Sequence, residues 1–429
     1  MSYKMKAADR VNGPKINTIN HVILPEVQEY TLDNGVSVYE ISGGTQDVIK
    51  IELVFDAGRP YEAKKMVSKA TTYLMKEGTS SMDSATIAET IDFYGATLKT
   101  STNLDQIRIT LFSLKKHVEG IMPIIVEILE QATFPPDEIE AYQRNSIQNL
   151  LIDLSKNEVI AYRQLTEALF GSDHPYGYNS TKELYENIER DDLIHHYKHN
   201  IGHQNLTIHT AGKIDDSIRK IINDSIGQFR REVTQRIKII DGPIADNRLV
   251  LPSENNYQTA IRFGRKLFNR NHEDYNTMYF LVTILGGYFG SRLMSNLRED
   301  KGYTYNIYAG IDDYVHGGYF YISADVGNEH VENSINEIKT ELVDLIDNPV
   351  KDPEMTLVKN YLMGNFLNML DGPLNQSQII RSLVSKGSDV QSLKQIIDDV
   401  KQMDAGRLQE AARKYLNPDA LMEVQVGQK

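Results

Sequence analysis

The chain has 429 residues, with 59 acidic against 46 basic side chains, a formal net charge of −13 and no cysteine. That balance argues against a phosphate-backbone interface, which needs clustered Lys and Arg. The missing thiols exclude disulfides, thiolate nucleophiles and cysteine-based zinc or iron–sulfur sites.

The N-terminal MSYKMKAADRVNGPKINTINHVILP has no apolar core of the length a secretory signal needs. Nowhere does an apolar run approach the roughly 18–20 residues of a membrane span, so a cytoplasmic location without membrane contact is the expectation, with a periplasmic one the alternative if a signal was removed. VQEYTLDNGVSVYEI then carries Asp33-Asn34-Gly35, a hairpin turn signal between two strand-like runs. VIKIELVFDAG reads as a buried strand and residues 61–77 as a helix, with Val67, Ala70, Leu74 and Met75 near helical spacing and Gly78-Thr79 at the end. DSATIAETIDFYG predicts a second helix, capped by Asp83 or Ser84 and stopped by Gly95. ATLKTSTNLDQIRITLFSL alternates as two strands. Long helical patterns run through 115–132 and 137–165, followed by a helix near 189–200 and the strand NLTIHTAGK.

The second half repeats this order. NNYQTAIRFGRKL stands where VIKIELVFDAG was, and NTMYFLVTILGG where VSKATTYLMKEG was. RLMSNLREDKG then predicts a helix, and YTYNIYAGIDDYVHGGYFYISADV two strands. DPEMTLVKNYLMGNFLNML shadows PDEIEAYQRNSIQNLLIDL, placing Glu354 on Glu138 and Asn365 on Asn149. PDALMEVQVG shadows HQNLTIHTAG. Self-similarity at a constant offset fixes an architecture early. The prediction is an α+β protein of two homologous α/β-roll domains, each an antiparallel-rich sheet covered by helices. The charge run and Gly242-Pro243 in FRREVTQRIKIIDGPIADN suggest a linker over 233–247, between domains at 1–232 and 248–429.

The duplicated unit and its motifs resemble the pitrilysin/insulinase-type metallopeptidases, in particular the mitochondrial-processing-peptidase-like branch, with a LuxS/metallopeptidase-like fold. QTAIRFGRK and LGGYFGSRLMSNLREDKGYTYNIYAG look like the family's second domain; HPYG at 174–177 and KEGT at 76–79 look like its first. Active members carry His-x-x-Glu-His on the helix before that Gly-Thr. Counting back from Gly78 places the first His position at Lys69, the Glu at Thr72 and the second His at Tyr73. The family's third ligand falls near Asn149. A hydrolytic zinc needs three deprotonated N/O donors and an open fourth position. A cation, two neutral hydroxyls and an amide do not supply them, so no cofactor is expected in this chain.

The resemblance also implies an Arg and a Tyr seven positions apart that contact the substrate peptide and the carbonyl under attack. LREDKGYTY supplies that spacing with Arg298 and Tyr305, and Tyr303 alternates onto the same strand face. A guanidinium and a phenol can donate to a peptide carbonyl and a developing oxyanion. The implied protein is a non-catalytic subunit pairing with a zinc-bearing homologue and lending it Arg298 and Tyr305 against an extended peptide. An isolated chain could imitate that pair as a homodimer. The competing reading is a non-enzymatic structural or peptide-binding member of the fold. Taken alone, Arg298 reads as a surface helix residue and Tyr303, Tyr305 and Tyr308 as strand aromatics. Gly286, Gly287 and Gly290 read as a helix C-cap and turn. His195, His199 and His203 read as a solvated helix end, since Gly202 should stop that helix, and His174 as fixing a turn.

Overall fold

The computed structural model describes residues 19, 22–234, 236–237, 239, 247–253 and 257–427. The expected linker over 233–247 lies largely outside the described residues.

The first sheet has six strands: β1 (Gln28–Thr31), β2 (Ser37–Ser42), β3 (Val48–Phe55), β4 (Thr97–Thr102), β5 (Ile107–Leu114) and β6 (Leu206–Gly212). Their spatial order is β1-β2-β6-β3-β5-β4. The second sheet is ordered β7-β11-β8-β10-β9, from β7 (Arg248–Pro252), β8 (Gln258–Leu267), β9 (Thr304–Tyr314), β10 (Gly317–Gly327) and β11 (Met422–Gly427). With β1 set aside the two orders coincide strand for strand. In each, one pair is parallel, β2 with β6 and β7 with β11, and the other neighbours are antiparallel. The duplication in sequence is thus a duplication in topology. Gly35, at φ +83, turns the chain between β1 and β2, where a Cβ would be strained.

Helices of the first half are α1 (Val67–Leu74), α2 (Ser84–Phe93), α3 (Val118–Gln131), α4 (Pro136–Asp153), α5 (Asn157–Phe170), α6 (Lys182–Glu186), α7 (Arg190–Asn200) and α8 (Asp216–Ser225). Those of the second are α9 (Tyr275–Gly286), α10 (Val331–Asp347), α11 (Asp352–Met369), α12 (Gly372–Val384), α13 (Val390–Gln402) and α14 (Ala405–Tyr415). Asp83 caps α2 by accepting from the Thr86 N–H at 2.8 Å.

Three expectations are corrected. The helix over 61–77 is only α1, because residues 59–61 form a short 3₁₀ turn and Met66 enters α1 at φ 75. The pattern over 137–165 is two helices, broken over 154–156. The break has a purpose: α4 stays with the first half, whereas α5 leaves it and packs on β8 and β11 of the second sheet. Its Ala161, Leu165, Leu169 and Phe170 form a core there with Ala260, Tyr319, Met422 and Val424. The counterpart α12 does the reverse, packing on β2 and β6 of the first sheet. Each half lends one helix to the other's sheet. The third correction is the RLMSNLREDKG helix, which is a π-helical segment over Met294–Asp300, a widening seen mainly in short stretches near functional sites.

Candidate functional site

Helix α1 begins on a half-buried carboxylate. Glu62 accepts from the backbone N–H of Met66 (3.2 Å) and Ser68 (2.9 Å), from the Ser68 hydroxyl (2.5 Å) and from the Tyr178 phenol (2.6 Å). It thereby satisfies donors that a helix start leaves open. Burial pushes its pKa upward, opposed by the hydrogen bonds from Ser68 and Tyr178 and by Arg59. Arg59 lies 4.1 Å above the Tyr178 ring and donates to the Pro175 and Tyr178 carbonyls, so the HPYG segment is bolted to this helix start. His174 Nδ1 accepts from the Tyr176 N–H at 2.9 Å and closes the turn.

On the next turns stand the three residues that the sequence count assigned to the motif. Lys69 Nζ donates to the Tyr185 phenol of α6 at 3.3 Å. Thr72 is buried and donates its hydroxyl to the Ser68 carbonyl at 2.7 Å, inside the helix. Tyr73 is half exposed, its ring 5.2 Å from that of Tyr142 on α4 and 5.9 Å from the Lys76 ammonium. Asn149 is exposed on α4, and it is Tyr142, not Asn149, whose ring lies on Tyr73. Among the described residues, no three His, Asp or Glu side chains are grouped so as to hold a metal. These positions do not fit zinc: one carries an amine-bearing side chain directed to Tyr185, one has committed its hydroxyl to the backbone, and one presents a phenol tilted against a second aromatic ring.

Arg298 lies in the π-helical segment, its guanidinium 4.5 Å above the ring of Phe289 and its Nε 3.6 Å from Glu299. Tyr305, on the edge strand β9, is 86% exposed and free to meet a ligand. Tyr303 precedes that strand and is stacked on His330, with centroids 4.6 Å apart. The structure therefore brings Arg298 to Phe289 and Tyr303 to His330, while Tyr305 stands alone on the strand. Gly286 explains how β9 comes so close to α9: a Cβ there would lie 2.4 Å from the Ala309 nitrogen. Gly287 caps α9 by donating to the Thr283 carbonyl. The rings of His195 and His199 lie tilted at 4.4 Å on α7, which ends at Asn200, and His203 turns away to the Arg231 carbonyl.

Between the halves, next to Lys69, opens a cavity of about 400 Å³ bounded by Arg59, Asp105, Gln106, Asp313, Arg381 and Lys386. Sequence reading missed this junction. Arg381 sits in the last turn of α12, where an isolated Arg reads as solvated, and only the packing of α12 on the first sheet brings it against Glu52.

Residues 38–175 match the family described as Insulinase (Peptidase family M16), and residues 187–362 the one described as Peptidase M16 inactive domain. The chain belongs to the M16 insulinase family. Within it, the chain is similar to the Bacillus subtilis protein named "Uncharacterized zinc protease YmxG", 21% identical over 402 residues, covering 92% of this chain and 96% of that protein. It is also similar to the Helicobacter pylori "Non-peptidase homolog YmxG", 22% identical over 376 residues, with 82% and 85% covered. The crystal structure of a peptidase M16 inactive domain from Pseudomonas fluorescens superposes with a TM-score of 0.86 at 20% identity, covering 94% of this chain and 98% of that one. The M16 fold is kept. No described helix is long and apolar enough to cross a membrane.

Proposed function

We propose that this M16 chain is a catalytically silent subunit that pairs with a zinc-bearing homologue and lends Arg298 and Tyr305 to a peptide bound in extended form. One observation carries the reading. All the expected donor positions hold other residues, and Lys69, Thr72 and Tyr73 are engaged in contacts of their own. A partner would have to bring the metal, its water and the base. What this chain retains is an exposed phenol on a terminal strand and a guanidinium resting on Phe289. The outer edge of β9 has no strand partner among the described residues, and an extended peptide can add to such an edge by main-chain hydrogen bonds.

The test is reconstitution. The purified chain alone should hydrolyse no peptide, and mixing it with a zinc-bearing homologue should raise that partner's rate. Arg298→Ala and Tyr305→Phe should each remove most of the gain, about tenfold or more for a lost charge-assisted or oxyanion contact. An unchanged rate with both substitutions would remove the assigned roles. A second reading, a non-enzymatic binding or structural member, is favoured by the "Non-peptidase homolog" name of the Helicobacter pylori relative. It predicts no partner-dependent gain and indifference to Arg298.

A further inference from the structure

The two exchanged helices are held unequally. Seven of the fourteen residues of α5 are buried, among them Ala161, Leu165, Leu169 and Phe170, which share an apolar core with the second sheet. Three of the thirteen in α12 are buried, Ser377, Ile380 and Leu383. Beneath α12 the first sheet presents polar groups. His209 of β6 pairs with both Glu52 of β3 and Tyr39 of β2, and directly opposed residues share a face. Onto that face α12 brings Arg381, whose Nε lies 3.2 Å from Glu52 Oε2, and Ser377 one turn earlier. Glu52 already holds Lys50 Nζ at 2.5 Å on the same oxygen. Ile380 is the apolar exception, sharing a core with Ile41 of β2. The Ser377 hydroxyl and His209 Nδ1 are buried without a hydrogen-bond partner among the described residues, and the Arg381 contact lacks hydrogen-bond alignment. Burying polar atoms unpaired opposes closure, so α12 grips the first sheet far less firmly than α5 grips the second.

Cavities also border α12 on three sides. One of about 560 Å³ lies between it and Tyr279 of α9, Phe366 of α11 and Leu393 of α13. One of about 320 Å³ lies between its start, at Pro373 and Leu374, and Gly43 and Gly212 at the ends of β2 and β6. The third is the cavity of about 400 Å³ between the halves, lined by Arg381 and Ser382. Atoms that face a void lack contacts on that side. The chain enters and leaves α12 through glycines in the left-handed region, Gly372 at φ +79 and Gly387 at φ +73. An added Cβ would meet nothing within 4 Å at either, so they serve backbone conformation and not close packing. On the α5 side the contacts are firmer: Asp105 accepts from the Val315 N–H at 3.0 Å, and Tyr176 joins the α5 core. From this asymmetry we propose that α12 is a latch between the halves. It releases the first sheet as a unit while α5 stays docked on the second, and the halves part on the α12 side. Parting moves Arg381 and Ser382 away from Arg59 on the facing wall and widens the cavity between the halves. The latch stands whether or not a zinc-bearing partner exists.

The chain has no cysteine, so spin labels attach only where a cysteine is introduced. Double electron–electron resonance on the full chain compares two labelled pairs at exposed positions. The latch pair joins Lys220→Cys of α8 to Gln378→Cys of α12. The control pair joins Glu158→Cys of α5 to Thr340→Cys of α10. The latch pair should give a distance distribution at least twice as broad as the control, with a second, longer component. Adding Arg381→Gln should raise the share of that component at least twofold, while the control stays a single narrow peak. Equal widths for the two pairs, in the unaltered background and in Arg381→Gln alike, overturn the proposal. Should Arg381→Gln fail to fold, the unaltered background decides by itself, and one narrow distance for the latch pair overturns the proposal equally.

Discussion

Buried histidines give this chain an acid-labile edge that particular side chains account for. His209 of β6 is stacked on Tyr39 at 5.2 Å, and burial, then Arg381 and Lys50, push its pKa down to about 3. His196 of α7 is held at about 4, chiefly by burial, while its Nε2 faces the Ala57 carbonyl at 2.9 Å. Both rings stay neutral when folded but take a proton near 6.5 when unfolded. The unfolded chain therefore binds more protons between about pH 6.5 and pH 3. Stability from these sites is complete above that window and is lost as pH falls through it, by about 2 kcal/mol per ring at pH 5. Denaturant unfolding between pH 7 and 5 measures this. In His209→Gln the slope against pH should be shallower than in the unaltered chain, and an identical slope would contradict the assignment. At the same scale, the sequence count back from Gly78-Thr79 singled out Lys69, Thr72 and Tyr73, and the structure sets all three on α1. Their partners were not legible, since Tyr185 and Tyr142 reach α1 from helices far along the chain.

At the scale of elements, one contact sets how closely α9 can approach the edge strand β9. Gly286→Ala would drive a Cβ to 2.4 Å from the Ala309 nitrogen and 2.8 Å from its Cβ. It should cost about 1–3 kcal/mol by overpacking. Chemical denaturation checks this, and a loss below the error of measurement would mean that the helix end shifts freely. The succession of strands and helices along each half could be read ahead because strands, turns and caps are local signals: Asp83 before α2 and Asp33-Asn34-Gly35 before β2 stand in the sequence itself. The break between α4 and α5 could not. Leu154, Ser155 and Lys156 include neither Gly nor Pro, and apolar residues recur at helical spacing on both sides. The bend follows from where α5 finds its apolar partner, on the other sheet, and that is a tertiary fact.

For the whole molecule, the exchange of α5 and α12 makes the halves interdependent. Leu165 and Phe170 of the first half are buried against Ala260, Tyr319 and Val424 of the second. Ile41 of β2 belongs in turn to the second half's core. Removing either half would expose one apolar helix face and uncover one sheet. The chain should thus unfold in a single transition, and Leu165→Ala, at a cost of about 2–5 kcal/mol, should lower it without splitting it. Calorimetry distinguishes this from two separately melting domains. The repeat that announced two copies of one unit gave no sign of this exchange, because α5 and α12 occupy equivalent places in their own copies and the swap lies only in which sheet each covers.

The most direct measurement of the central claim is the zinc content of the dialysed, purified chain, read by plasma mass spectrometry after incubation with excess zinc. Far less than one ion per chain is predicted, because an amine directed to Tyr185, a hydroxyl bound to its own helix and a phenol tilted against Tyr142 occupy the expected donor positions. One tightly held ion per chain, lost on substituting Tyr73 or Asn149, would contradict it.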